Sequence, residues 1–207
     1  MKREFIFTSN LQRIVAAVLL WALVSFAAPR LVAAPPTYRL SKTYSTLEFN
    51  VTKWMVFKEQ GLFQDYEGSV KYDPAHPENS EVAVTVQAAS IDTRNSTRDG
   101  VLRSDDFFDV AKYPTLSFHS AQVVAKEAEA LEVTGDLTIH GITHRITIPV
   151  KVLGVRDVLN AGSYAAFETN FTIDRRDYGV LGTRWSGGKI AIDNTIYIHL
   201  ILGGEKR

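Results

Sequence analysis

Apolar and polar side chains alternate with a period of two over most of the chain. Leu47, Phe49 and Val51 are separated by Glu48 and Asn50, and Val82, Val84 and Val86 by Ala83 and Thr85. Ile146, Ile148, Val150 and Val152 alternate with Thr147, Pro149 and Lys151, while Phe167, Thr169, Phe171 and Ile173 face away from Glu168, Asn170 and Thr172. Shorter examples pair Val70 with Tyr72, Leu116 with Phe118, Leu131 with Val133, and Leu137 with Ile139. In a β-strand successive side chains point to opposite faces, so each run predicts a strand with one buried side. The run from Lys189 to Leu202 is apolar on both parities, with Tyr197, His199 and Ile201 opposite Ile196, Ile198 and Leu200. It is either covered on both faces or an irregular edge of an ordinary core.

Turn chemistry separates these strands. Asp73-Pro74 through Asn79-Ser80 and Asn160-Ala161-Gly162-Ser163 read as loops, and His140-Gly141 either turns a hairpin or bulges one long strand. Gly179, Gly182, Gly187 and Gly188 punctuate the segment before the last strand. Helix signals are confined to the connection from Ser90 to Tyr113. There Ser96 or Thr97 caps a short helix into Arg98–Arg103, and Ser104 starts a second turn through Asp105 and Asp106. Roughly eight strands and one partly helical connection predict an all-β fold, a closed antiparallel barrel or a sandwich. Alternation does not separate these two architectures.

The N-terminus follows a different pattern. Lys2, Arg3 and Arg13 precede Ile14–Ala28, fifteen residues without a charge, closed by Pro29 and Arg30. As a helix that run spans roughly 23 Å, short of the roughly 30 Å hydrocarbon core of a bilayer. Residues 1–34 therefore read as a signal peptide or an N-terminal membrane anchor with a short spacer, and residues 35–207 as one barrel domain. This predicts an exported protein, in a periplasm, secreted or held at a membrane by that segment.

The whole chain has 23 basic and 23 acidic residues and no cysteine. Removing residues 1–34, which carry +3, leaves a mildly acidic domain of −3 with little to gain as a whole near nucleic acid or anionic lipid, so membrane contact is expected only through the N-terminal segment or transient lipid exchange. The missing cysteine excludes disulfides, thiolate metal sites and cysteine nucleophiles. His140 and His144 would lie about 13 Å apart on one strand, too far to share a zinc ion unless Gly141 turns the chain. No G-x-S-x-G elbow and no phosphate-binding glycine loop occurs. Asp105 and Asp106 are adjacent and do not face one another as a glycosidase pair must; they suit helix capping and pairing with Arg98 or Arg103. Arg175 and Arg176, with Arg184 nearby, either hold an anionic headgroup at a barrel mouth or neutralise Asp174 and Asp177 at the surface. Aromatic side chains make up 11% of the chain, enough to fill a barrel or to line a tunnel through it.

Longer strings narrow these alternatives. Ala89-Ser90-Ile91-Asp92-Thr93, Arg98-Asp99, Leu102 through Val110, Tyr113-Pro114, Gly135 through Thr143, Phe171 through Val180 and the closing Ile196-Tyr197-Ile198 resemble the signature of the YceI-like family. The resemblance runs from about Tyr38 to Leu202. It implies a lipocalin-like, eight-stranded antiparallel barrel closed at one end by a short helical insertion. It also implies an apolar tunnel for a polyisoprenoid tail (an isoprenoid quinone or polyprenyl lipid), dimers in many members, and no common catalytic mechanism. On that basis the expected function is binding or carriage without a cofactor. The working wall is Leu47, Phe49, Val51, Phe118, Phe167 and Phe171, with Phe107 and Phe108 as a lid and Arg175, Arg176 and Arg184 as headgroup contacts. A ligand-free interaction barrel and a lipid-modifying enzyme are the competing readings. The sequence departs from the family in two places. Gly100-Val101 follows Arg98-Asp99 where the family commonly has a histidine, and Thr52-Lys53-Trp54 stands where a first-strand histidine is frequent. The family's imidazole contacts therefore do not carry over.

Overall fold

The structure, a computed structural model, describes residues 34–184 and 192–207. The N-terminal segment up to residue 33 lies outside that range, as do Trp185, Gly187, Gly188 and the first residues of the predicted last strand.

Among the described residues eleven strand segments follow in the order β1 (Thr37–Leu40), β2 (Thr46–Lys53), β3 (Phe57–Phe63), β4 (Tyr66–Lys71), β5 (Glu81–Gln87), β6 (Ile91–Asp92), β7 (Thr115–Glu127), β8 (Ala130–Ile139), β9 (Ile142–Val158), β10 (Gly162–Asp174) and β11 (Ile192–Lys206). The single α-helix among the described residues, α1 (Ser96–Arg103), lies between β6 and β7. All pairings are antiparallel, and β1 meets both β4 and β11, so the sheet closes on itself through β1, β4, β5, β7, β8, β9, β10 and β11. This is the eight-stranded barrel rather than the sandwich.

The three additional segments are continuations of broken barrel strands. β1 and β2 lie end to end along one edge of β11, β3 continues into β4, and β5 into β6. At the first break five residues, Ser41–Ser45, face two, Leu202 and Gly203. Ser45 repairs the interrupted ladder with its side chain. Its buried hydroxyl accepts from the Gly203 amide and donates to the Gly203 carbonyl, each at 2.9 Å. The Tyr66 hydroxyl donates to the Ser45 carbonyl at 2.8 Å. Gly203 itself tolerates no larger residue, because a Cβ there would run into the Tyr44 backbone.

Bulges shift the inward parity along single strands. On β7 the inward set passes from Leu116 and Phe118 to Val123 across an irregularity between Ser120 and Gln122. On β9 it passes from Val152 to Val155 across Leu153 and Gly154, leaving Leu153 exposed. The β8–β9 connection is a two-residue hairpin: Ile139 pairs with Ile142, and His140 and Gly141 both have positive φ. The last strand has a dry face and a wet one, since Ile196, Ile198 and Leu200 line the interior while Tyr197 is 52% exposed. It also runs on to Lys206, beyond the predicted Leu202.

The helical connection needs correcting in detail. Asn95, not Ser96 or Thr97, caps α1, its side chain accepting from the Arg98 amide at 3.0 Å. Ser104 starts the expected turn, its carbonyl accepting from the Phe107 amide at 3.1 Å.

Replacing Ser45 by alanine strands the buried Gly203 amide, while the Gly203 carbonyl keeps the Ser41 amide at 2.9 Å, and costs about 1–3 kcal/mol. In urea unfolding, Ser45→Ala is expected to lower the midpoint without changing the slope, whereas Thr138→Ala, which removes an exposed hydroxyl pair with Thr143, should move it little.

Candidate functional site

The inward residues of the eight strands do not fill the barrel. A cavity of about 520 Å³ runs through it, within the ordinary size range of small-molecule sites. Its middle is walled by branched aliphatic side chains, among them Val70, Val84, Val133, Ile148, Val150 and Leu200. Such residues suit strands and leave space at the axis that rings would occupy. Toward the lower end, where β4 gives way to β5, Tyr72 and Phe167 meet edge to face at 5.3 Å between centroids. Thr169, buried on the wall, turns its hydroxyl away to donate to the Pro149 carbonyl at 2.6 Å, so it presents no free donor to the interior.

All eight wall and lid residues expected from the sequence, Leu47, Phe49, Val51, Phe107, Phe108, Phe118, Phe167 and Phe171, border this cavity. Phe49 packs its ring over Gly61, where a Cβ would collide with it. From there a file of rings climbs to the upper end: Phe49 to Phe63 at 5.7 Å, then Phe63 to Phe108 at 6.0 Å. Phe107 is buried in a second apolar cluster with Ile139, Tyr178 and Val180, which caps the upper end together with Val101 and Leu102 of α1.

The cap is tied down by polar contacts, and these occupy the arginines. Arg175 borders the cavity, yet its guanidinium donates to the carbonyls of Val180, Leu181 and Asp193 and to the Asn194 side chain. Burial draws its pKa down from the usual arginine value. Arg176 and Arg184 lie off the cavity wall. Arg176 pairs with Asp174, whose pKa falls to about 2 through that side-chain bond and the Arg176 amide. Arg184 pairs with Asp105, and its amide donates to the Asp106 carboxylate at 2.9 Å. Asp105 and Asp106 thus stitch the 180s loop to the turn after α1; they neither cap α1 nor pair with Arg98 or Arg103.

The polar part of the wall is elsewhere. On the upper half of β3 the edge facing away from β2 has no strand partner above Leu62, because the ladder to β6 consists of two pairs, Leu62 with Asp92 and Phe63 with Ile91. Side chains close that stretch. Glu59 points inward and binds Arg98 of α1 at 2.6 Å, with Lys53 at 3.9 Å. Arg98 also donates to the hydroxyl and carbonyl of Thr93, and the buried Asp99 carboxylate accepts from the Thr93 amide and hydroxyl. Lys53, Glu59, Thr93, Asn95, Thr97 and Arg98 all border the cavity and form its polar mouth. Sequence reasoning missed this group, although Glu59 shares the parity of Phe57, Gly61 and Phe63, the one available signal.

No histidine borders the cavity, and His140, His144 and His199 have partners outside it. His140 meets Tyr113 edge to face at 4.4 Å between centroids, His144 meets Tyr178 likewise at 5.0 Å, and His199 bonds Glu168 at 3.0 Å. No cluster of three or more histidine or carboxylate side chains able to hold a metal occurs among the described residues.

The profile of the YceI-like domain matches residues 38–202. Protein YceI of Escherichia coli O157:H7 is 34% identical over 164 residues, 78% of this chain and 84% of its own length. The crystal structure of BcnA from Burkholderia cenocepacia superposes with a TM-score of 0.72 at 24% identity, covering 80% of this chain and 99% of that one. A polyisoprenoid binding domain from Saccharophagus degradans, implicated in plant cell wall breakdown, superposes at 0.63 with 19% identity, covering 82% and 98%. At these identities the two superpositions show a shared fold.

Tyr178 gives the cap a pH signature. Burial, with Asp177 beside it, pushes its hydroxyl up to about 12 from the ordinary 10. A folded value above the unfolded one means the stabilisation is complete below about pH 10 and is lost as pH rises toward 12. The urea midpoint should fall across that interval, and Tyr178→Phe should flatten the fall.

Proposed function

The chain belongs to the YceI-like family, and from that premise we propose that its barrel is a carrier that holds the tail of a long isoprenoid lipid without acting on it. The observation that carries this reading is a continuous cavity of about 520 Å³, lined largely by apolar side chains, with Lys53, Glu59 and Arg98 together at one end. A tail enclosed there leaves water along its whole length, and each buried methylene contributes about 0.8 kcal/mol. The polyisoprenoid binding attributed to the Saccharophagus degradans domain supports the choice of tail. In this reading Tyr72 and Phe167 limit how much tail is enclosed, while the headgroup stays at the mouth among Lys53, Glu59 and Arg98. The basic, then apolar N-terminal segment supports an exported protein that moves such a lipid through an aqueous compartment.

Native mass spectrometry of the gently purified full chain tests this reading. A stoichiometric prenyl lipid is the expected result; a ligand-free particle that takes up no long isoprenoid ends it. Val150→Trp, which fills the middle of the cavity, should exclude the length of at least one isoprene unit and weaken retention more than about tenfold. Lys151→Ala, one residue along on the exposed face, should leave retention unchanged.

A further inference from the structure

Storage of a lipid tail does not use the tip of the β2–β3 hairpin. Trp54, Met55, Val56 and Phe57 stand in sequence at 59, 95, 75 and 61% exposure, four apolar side chains in water at the upper end of the barrel. The backbone holds them out. Trp54 and Met55 both adopt positive φ, 49° and 62°, and the Val56 amide closes the turn onto the Lys53 carbonyl at 3.2 Å. The Trp54 and Phe57 rings brace one another edge to face at 6.3 Å. A lysine stands on each side. Lys53 places its ammonium 4.3 Å from the Trp54 ring centre, and Lys58 is exposed directly after Phe57.

We propose that this tip is a membrane-docking element that seats the upper end of the barrel on an anionic phospholipid bilayer. The chemistry fits that occupant at each position. Tryptophan and phenylalanine settle at the boundary between headgroups and acyl chains, methionine and valine reach just below it, and lysines at both ends meet lipid phosphates. The nearest acid, Glu59, is paired with Arg98 at 2.6 Å and does not oppose the approach. The tip also has the right neighbour, because Lys53 and Glu59, immediately beyond it on both strands, are part of the cavity mouth. Docking by the tip brings that mouth against the bilayer. The purpose of docking, lipid exchange, rests on the carrier reading; the docking itself does not.

The chain has no cysteine, so a single introduced one can be labelled cleanly. Full-length Met55→Cys and Leu159→Cys proteins, each carrying a polarity-sensitive fluorophore, are mixed with vesicles of phosphatidylethanolamine and phosphatidylglycerol bearing acyl-chain quenchers. Leu159 is 90% exposed on the β9–β10 turn at the opposite end, so attachment through the N-terminal segment cannot imitate the result. The label at position 55 should shift to the blue and be quenched while that at 159 is not. Lys58→Glu, or phosphatidylcholine vesicles, should weaken the response several-fold. No response at 55, an equal response at 159, or a shift at 55 that follows protein concentration without vesicles, marking a second copy as the occupant, would overturn the proposal. Retained lipid is measured on the same preparations. A chain that docks but holds no lipid defeats the carrier reading alone, and one that holds lipid but does not dock defeats this proposal alone.

Discussion

Closure of the sheet depends on β11. One of its edges pairs with β10 throughout, and the other serves two separate segments, β1 and β2. The join between them is where a ladder would ordinarily fail, since five residues must fit against two. The Ser45 hydroxyl, bonded to both polar groups of Gly203, stands in for the backbone acceptor that the Gly203 amide lacks and shares the Gly203 carbonyl with the Ser41 amide. With that substitution the ring has no free edge in its lower half, which removes the main hazard of a long sheet. Its circumference is then fixed by strand number, and the interior becomes a question of which side chains point inward.

Those side chains divide by position. Valine, isoleucine and leucine make up most of the middle of the wall, with Phe118 beside Val84, while other rings pair toward the ends: Tyr72 with Phe167 below, Phe63 with Phe108 above. The aromatic content that suggested either a filled core or a lined tunnel lines the barrel and leaves a void of about 520 Å³. Polar groups obey the same order. Thr169 is satisfied by the Pro149 carbonyl behind the wall, and no buried side-chain polar atom among the described residues lacks a partner.

Period-two alternation made most of the barrel legible, because a strand with one wet face writes that face into every second residue. The wall residues Phe49, Val51, Phe118 and Phe171 followed directly. What alternation does not record is an inserted residue. The irregularities after Ser120 and Val152 invert parity partway along strands, so Val123 and Val155 lie on the side that a fixed period gives to water. The breaks near Ser45, Asp65 and Ala88 likewise leave no mark that distinguishes one bent strand from two short ones. The arginines were harder still. Arg175, Arg176 and Arg184 look alike in sequence, but one is spent on loop carbonyls and two on carboxylates. The mouth is formed instead by Glu59, Arg98 and Lys53, which only the folded register brings together.

The incomplete pairing of β3 has a kinetic consequence. From Phe57 to Gly61, about 17 Å of strand, the barrel is sealed by the Glu59–Arg98 contact in place of a run of backbone bonds. A wall latched by side chains can part along a slot while the hoop beneath it stays shut. A guest admitted through a slot is laid in sideways and need not be threaded end-first past every ring. Loading time would then depend on the latch and hardly at all on how long the guest is.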